Sequence, residues 1–130
     1  DTTHILVDDT THSGVAGITV ADDGTNEIIG VLGANARLDE TDLDRLIQLL
    51  PNAKALLLQL EVPPAIVKLA AQAARKAGLT VLLDPAPVPA HAIADLYPCV
   101  DILLPNEVEA AQLVGFPVHS PETAAQAAQT

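Results

Sequence analysis

The chain has 130 residues, 49% of them hydrophobic but only 2% aromatic, and a formal net charge of −11. That length allows one domain with a real core, and the core must be built from Leu, Val, Ile and Ala. The charge repels a phosphate backbone or an anionic membrane surface, so nucleic-acid and membrane partners are not expected. No apolar run approaches the about 18 residues of a membrane span, and no basic stretch followed by an apolar one marks a signal peptide. A cytoplasmic place is therefore expected. The absence of any Met, and a last helical stretch from Pro121 to Thr130 without a stop signal, are what a segment of a longer chain would show.

In chain order, Ile5-Leu6-Val7 interrupts a polar, threonine-rich opening and predicts a short edge strand. Two β-rich runs, Gly14–Val20 and Glu27–Leu32, flank Asp22-Asp23-Gly24-Thr25-Asn26 and predict a hairpin. A lone hairpin is marginal in water, so it must lie against its own sheet, a partner or a ligand. Asp39 with Asp42 predicts a helix start, and Leu43, Leu46, Ile47 and Leu50 form its apolar stripe until Pro51-Asn52 ends it. Regular alternation follows. Ala53–Leu60 predicts a strand. Pro63-Pro64 opens a helix that buries Ile66, Leu69, Ala70, Ala73 and Ala77 and stops at Gly78. Leu79–Leu83 reads as a strand covered on both faces. After the proline-broken loop 84–89 come a short helix near His91 to Leu96, a strand from Val100 to Leu104, and a helix over 106–114 ended by Gly115. This is an α/β pattern: a parallel sheet of βαβ units with a hairpin that stands outside the series. The division predicted is residues 1–33 for the hairpin region and 34–130 for the α/β part. Cys99 reads as an inert buried thiol, and His4, His12, His91 and His119 as surface residues without ligand spacing.

In a parallel sheet the strand ends share the carboxyl edge, where open α/β sheets bind ligands. Glu61, Asp84 and Glu107 or Glu109 all fall there. Each has a plain alternative: Glu61 complements a helix N-terminus, and Asp84 makes an Asx turn. Together, carboxylates on one edge can recruit a cation or hold the hydroxyls of a polyol. Asn106 and Glu109 are three residues apart in the first turn of a helix. That spacing is half of a capping box, and it also puts an amide donor for phosphate beside a carboxylate that can hold hydrated magnesium. No GxGxxG follows a strand and no GxxxxGK[ST] occurs, so a dinucleotide Rossmann domain and a P-loop kinase are poorly supported. A receiver-type phospho-acceptor at Asp84 lacks its accompanying acidic pair and lysine.

The ordered series Thr-His-Ser-Gly-Val-Ala-Gly-Ile (11–18), Gly-Ala-Asn-Ala (33–36), Leu-Leu-Gln-Leu-Glu (57–61), Asp-Pro-Ala-Pro (84–87) and Leu-Pro-Asn-Glu-Val-Glu-Ala (104–110) resembles the ribokinase branch of the PfkB carbohydrate kinase family. Asn106-x-x-Glu109 fits that family's NxxE motif. The resemblance implies an ATP-dependent sugar kinase acting on a pentose such as D-ribose. Glu61 would bond sugar hydroxyls, and Ala16 and Ile18 would press on the sugar from a hairpin lid. Asn106 would contact ATP phosphates, Glu109 would organise hydrated Mg2+, and Asp84 is a weaker metal candidate. The lid would also clasp a second subunit, making a homodimer.

The departures are as informative. The family's first strand with its sugar-binding Asp, and its later Gly-Ala-Gly-Asp motif with the general base and anion hole, do not occur in these 130 residues. No catalytic base is therefore assigned in this segment, and the adenine pocket and the site for a monovalent cation such as K+ have no residues here. Phosphoryl transfer depends on positioning and charge stabilisation, so the segment alone is expected to be inactive. A non-catalytic sugar-binding or dimerisation module is the alternative.

Overall fold

The computed structural model of the protein describes residues 2–89 and 93–130. An antiparallel pair comes first: β1 (Val15–Val20) and β2 (Asn26–Val31) run in register from Val15 opposite Val31 to Val20 opposite Asn26. The turn is tied by the Gly24 N–H to the Ala21 carbonyl and the Ala21 N–H to the Thr25 carbonyl, at 2.9 and 2.8 Å. The Thr25 hydroxyl and N–H both donate to Asp23, which holds that carboxyl below its ordinary range. The predicted hairpin is present, but it is not packed on the rest of the chain. Every residue of both strands is exposed, and among the described residues the strands share no substantial contact with any other helix or strand.

The second sheet is parallel, with β3 (Ala55–Leu58), β4 (Thr80–Leu83) and β5 (Ile102–Leu103) in that spatial order. Helices α1 (Glu40–Leu49), α2 (Pro64–Lys76), α3 (Glu107–Val114) and α4 (Pro121–Ala127) complete the α/β part. Local chemistry sets their bounds. Asp39 accepts from the Thr41 N–H at 2.8 Å, and Asp42 accepts the Asp39 N–H at 3.1 Å, a closed capping box for α1. Pro64 occupies the first turn of α2, where its missing N–H is harmless, and Arg75 and Lys76 complement the dipole at its end. Gly115 closes α3 at φ 77°, a conformation that costs an L side chain dearly. Ser120 caps α4.

The core lies on one side of the parallel sheet, under α2. Leu50, Ala71, Ala74, Leu79 and Val81 form one buried group. Leu60, Val67, Leu83, Ile93 and Leu96 form the next. Leu103 and Leu113 pack against the second group, which puts α3 on the same side as α2. Asp101 stitches the sheet: its carboxylate accepts from the Val81 N–H at 2.8 Å and from Arg75 at 2.7 Å, while its own N–H donates to the Val81 carbonyl.

Several expectations are corrected. Ile5-Leu6-Val7 forms no strand and stands open, because an apolar triplet without a neighbour has nothing to pair with. The buried face of α2 is Val67, Ala70, Ala71 and Ala74; Leu69 and Ala77 are exposed, and Ile66 and Ala73 half-buried. The small alanines face the sheet because they allow close approach, and the bulkier Leu69 is turned outward. Strand β3 spans 55–58 rather than 53–60, and β5 spans 102–103 rather than 100–104. The helix predicted over His91–Leu96 falls partly outside the described residues; from 93 the chain makes 3-10 turns at Ile93–Asp95 and Tyr97–Cys99. Cys99 is half-buried against the first core group, not fully enclosed. His4, His12 and His119 are exposed, and His91 lies outside the described residues. The sheet is not covered on both faces either. Leu57, Leu82 and Ile102 are register neighbours on the side away from α2, and Leu57 is 74% exposed.

Candidate functional site

The carboxyl edge of the parallel sheet is level. Leu58, Leu83 and Leu103 are register neighbours. The backbone just beyond them stays bonded, with Asp84 N–H to the Leu58 carbonyl and Leu104 N–H to the Leu83 carbonyl, each at 2.9 Å. Leu60 N–H then reaches the Ala86 carbonyl at 3.0 Å. The continuations carry Glu61, Asp84 and Asn106. All three are exposed, while Leu60 and Pro85 beside them are buried and fix the backbone. The loop after β4 holds a cis peptide between Ala86 and Pro87. Thus three of the predicted site residues emerge along one border.

Asn106 and Glu109 are locked together. The Asn106 Oδ1 accepts from the N–H groups of Val108 and Glu109, both at 2.9 Å. Its Nδ2 donates to Glu109 Oε1 at 2.7 Å, and its backbone N–H donates to Glu109 Oε2 at 2.8 Å. Glu109 is only 9% exposed, yet no cation pairs with it among the described residues. Its charge is instead met by these two donors and by the N-terminus of α3. The capping reading of Asn-x-x-Glu is therefore realised in full. The chemistry is not used up. Each carboxylate oxygen keeps a lone pair, and the Asn106 amide keeps one N–H. Glu107, the other acid considered for this edge, is exposed and contributes only to the first turn.

Among the described residues, no group of three or more His, Cys, Asp or Glu side chains is placed to hold a metal. A caged ion does not fit Asp84 or Glu109. An ion held through its own waters does fit Glu109, whose free lone pairs can accept from them.

On the hairpin, Ala16 and Ile18 share a face with Gly30 and Ile28, because directly opposed residues of an antiparallel pair point the same way. Val15, Gly17, Ile29 and Val31 make the other face, also exposed. At the base the entering and leaving chains cross. Ala34 N–H donates to the His12 carbonyl at 2.9 Å. Gly33 has φ 55°, and a Cβ there would collide with the His12 carbonyl oxygen and sit 2.7 Å from that of Ser13. Beyond the crossing, Arg37 reaches Thr10 and Asp8. Sequence reasoning missed this base. Gly33 entered only as part of the Gly-Ala-Asn-Ala motif, and nothing in spacing links Arg37 to Thr10, 27 positions earlier, or to Asp8.

The family model for pfkB family carbohydrate kinases matches residues 1–130. The chain belongs to the PfkB family of carbohydrate kinases. Within the family it is similar to ribokinase of Haemophilus influenzae, 40% identical over 129 residues, which are 98% of this chain and 42% of that protein. It is also similar to deoxyribokinase of Salmonella typhi, 38% identical over 122 residues, 91% of this chain and 39% of that one. The structure of Arabidopsis thaliana ribokinase complexed with ribose and ATP superposes with a TM-score of 0.72 at 35% identity, covering 92% of this chain and 39% of that one. The chain thus spans about two-fifths of the length of the PfkB relatives it matches. The parallel sheet and hairpin are those of a ribokinase-like fold. No helix among the described residues is long and apolar enough to cross a membrane.

Proposed function

We propose that this chain is the central part of a cytoplasmic, ATP-dependent kinase that phosphorylates a pentose such as D-ribose. The observation that carries the reading is the common border of Glu61, Asp84 and Asn106 in a chain of the PfkB family. Glu61, exposed and paired with no cation among the described residues, has both oxygens available to vicinal sugar hydroxyls. Asn106 presents its remaining amide N–H to a phosphate oxygen. Glu109, buried and held rigid by Asn106, accepts from the waters of a magnesium ion. Asp84 stands on the same border as a weaker candidate for that ion. Magnesium would neutralise charge on the transferring phosphoryl group, as it does in other phosphoryl transfers. This chain's own residues orient and bind. No residue of this chain is assigned as the general base or as a ligand for potassium.

The hairpin completes the reading. Its Ala16–Ile18 face supplies apolar surface to lie over a sugar ring and exclude water. Its other face, with Val15, Ile29 and Val31, supports pairing with a second copy, giving a homodimer. The bare faces of the hairpin support a second reading, a non-catalytic sugar-binding or dimerisation module.

Calorimetric titration of D-ribose, 2-deoxy-D-ribose and D-fructose, with and without Mg-ATP, separates them. Heat with turnover in the full reading frame that carries this chain supports the kinase. Heat without turnover supports the module. Absence of both defeats the sugar site.

A further inference from the structure

The hairpin has no packed seat, so something other than buried surface must set its direction. Among the described residues its strands contact no other helix or strand substantially. The segment that leads into it is not packed either. Val7 is 84% exposed, and a cavity of about 690 Å3 lies between residues 4–10 and the α1 side chains Arg45, Leu46 and Leu49. What does span the gap is polar. Arg37 Nη1 donates to the Thr10 hydroxyl oxygen at 2.7 Å, and Arg37 Nε stands 3.3 Å from Asp8 Oδ2. Asp8 in turn accepts from the Thr10 N–H and hydroxyl, at 2.8 and 2.6 Å, so both partners of the guanidinium are held in one tight turn. Arg37 ends the 3-10 turn Gly33–Arg37 that leaves the hairpin, two residues before the Asp39 cap of α1. The guanidinium therefore joins the chain entering the hairpin to the chain leaving it, at the point where the latter becomes part of the body.

We propose that Arg37 is a positioning residue for the hairpin: by engaging Asp8 and Thr10 together it sets the angle at which the hairpin leaves the α/β body. The functional sense of this rests on the reading of the hairpin as a sugar lid. The planar fork of arginine is what allows two partners at a fixed separation, and a lysine at 37 would meet them as a point charge on a flexible stem without that fixed geometry. Arg37 is 55% exposed on its side chain, so the clamp is open to salt. An exposed pair of this kind is worth about a two- to five-fold bias between conformations. That suffices to shape the hairpin's range of directions without deciding whether the chain folds.

The test uses two spin labels, at Asp22→Cys on the hairpin turn and Gln72→Cys on α2, in a Cys99→Ser background. Pulsed dipolar spectroscopy then reads the distribution of distances between hairpin and body. Arg37→Met and Asp8→Asn should each broaden or shift it, Arg37→Lys should fall between, and about 1 M NaCl should broaden the parent but not Arg37→Met. Amide exchange in α2 and β4 should stay unchanged in all of them. An unaltered distribution in both Arg37→Met and Asp8→Asn overturns the proposal. Loosened exchange in α2 and β4 also overturns it, because the clamp would then hold the body rather than an angle. Adding D-ribose separates the two readings. If ribose narrows the parent distribution, the lid reading gains. If it changes none of them while Arg37→Met still broadens, the clamp stands and the sugar lid falls. In the full reading frame, Arg37→Met should raise the ribose KM about two- to five-fold with a smaller change in kcat.

Discussion

The hairpin and the α/β body use the same kinds of side chain to opposite ends. In the body Val67, Val81 and Leu83 are wholly enclosed between α2 and the parallel sheet. In the hairpin Ile18, Ile28 and Ile29 are all more than half exposed. The body satisfies its apolar residues within the chain; the hairpin keeps its own available on both faces. Under the proposed function, the apolar surface left open on these two strands meets a sugar on one face and a second copy on the other. The hairpin is consequently oriented by a polar crossing at its base, while the body is oriented by packing.

Substitution breaks this comparison most sharply. Leu83→Ala removes a fully buried side chain and should cost about 2–5 kcal/mol in chemical denaturation, while Ile29→Ala should change stability by less than about 0.5 kcal/mol. Equal effects would mean that the hairpin is packed after all. Next comes Glu109→Gln. The amide turns an N–H toward a donor of Asn106, leaving it unpaired in the half-buried first turn of α3. A loss of about 1–3 kcal/mol is expected. In the full reading frame it should be joined by a lower kcat and an altered magnesium dependence. Stability loss with unchanged kinetics would reduce Glu109 to a cap.

A smaller effect sharpens the contrast at the border. Glu61→Ala should leave denaturation within about 0.5 kcal/mol of the parent, since the side chain is exposed, and raise the sugar KM with kcat nearly kept. An unaltered KM removes Glu61 from the sugar site. The smallest is a response to acid. Bonds from Thr41 and its neighbours hold Asp39 below the ordinary carboxylate range, and Lys68 does the same for Asp95. Their folded forms favour the ionised state, so the stability they add is present above an ordinary carboxylate pKa of about 4 and is lost as pH falls through the lowered values. A denaturation midpoint that declines below about pH 4, less so in Asp39→Asn, is the expected outcome. A rise on acidification would contradict it.

What was legible in the sequence is what is decided within a few residues. The Asp23-Gly24 turn, the Asp39 and Asn106 caps and the Gly115 stop each act over one helical turn or one hairpin, and each stands where the pattern places it. The phase of α2 was not legible. In a helix this rich in alanine, two adjacent stripes are nearly equal in hydrophobicity, and the choice between them is made by how closely the sheet approaches. Length of strand was overestimated for β3 and β5 because apolar residues continue past the point where a neighbour can pair with them. Two links were invisible for another reason. Arg37 with Asp8, and Asp101 with Val81 and Arg75, join residues 20 or more positions apart, and nothing local announces them. As for the border, the strand order needed to level Glu61 with Asp84 and Asn106 follows from βαβ alternation, whereas the second bond between the pair, from the Asn106 amide to Glu109, is not announced by their spacing.

That pairing gives α3 a way to report on its surroundings. Asn106 and Glu109 form a closed set of bonds that leaves one amide N–H and a lone pair on each carboxylate oxygen unused. A phosphate or a hydrated ion that takes those unused groups would tighten the set instead of opening it. Occupancy should therefore register in the backbone, as slower deuterium uptake at Val108 and Glu109, before any product is made.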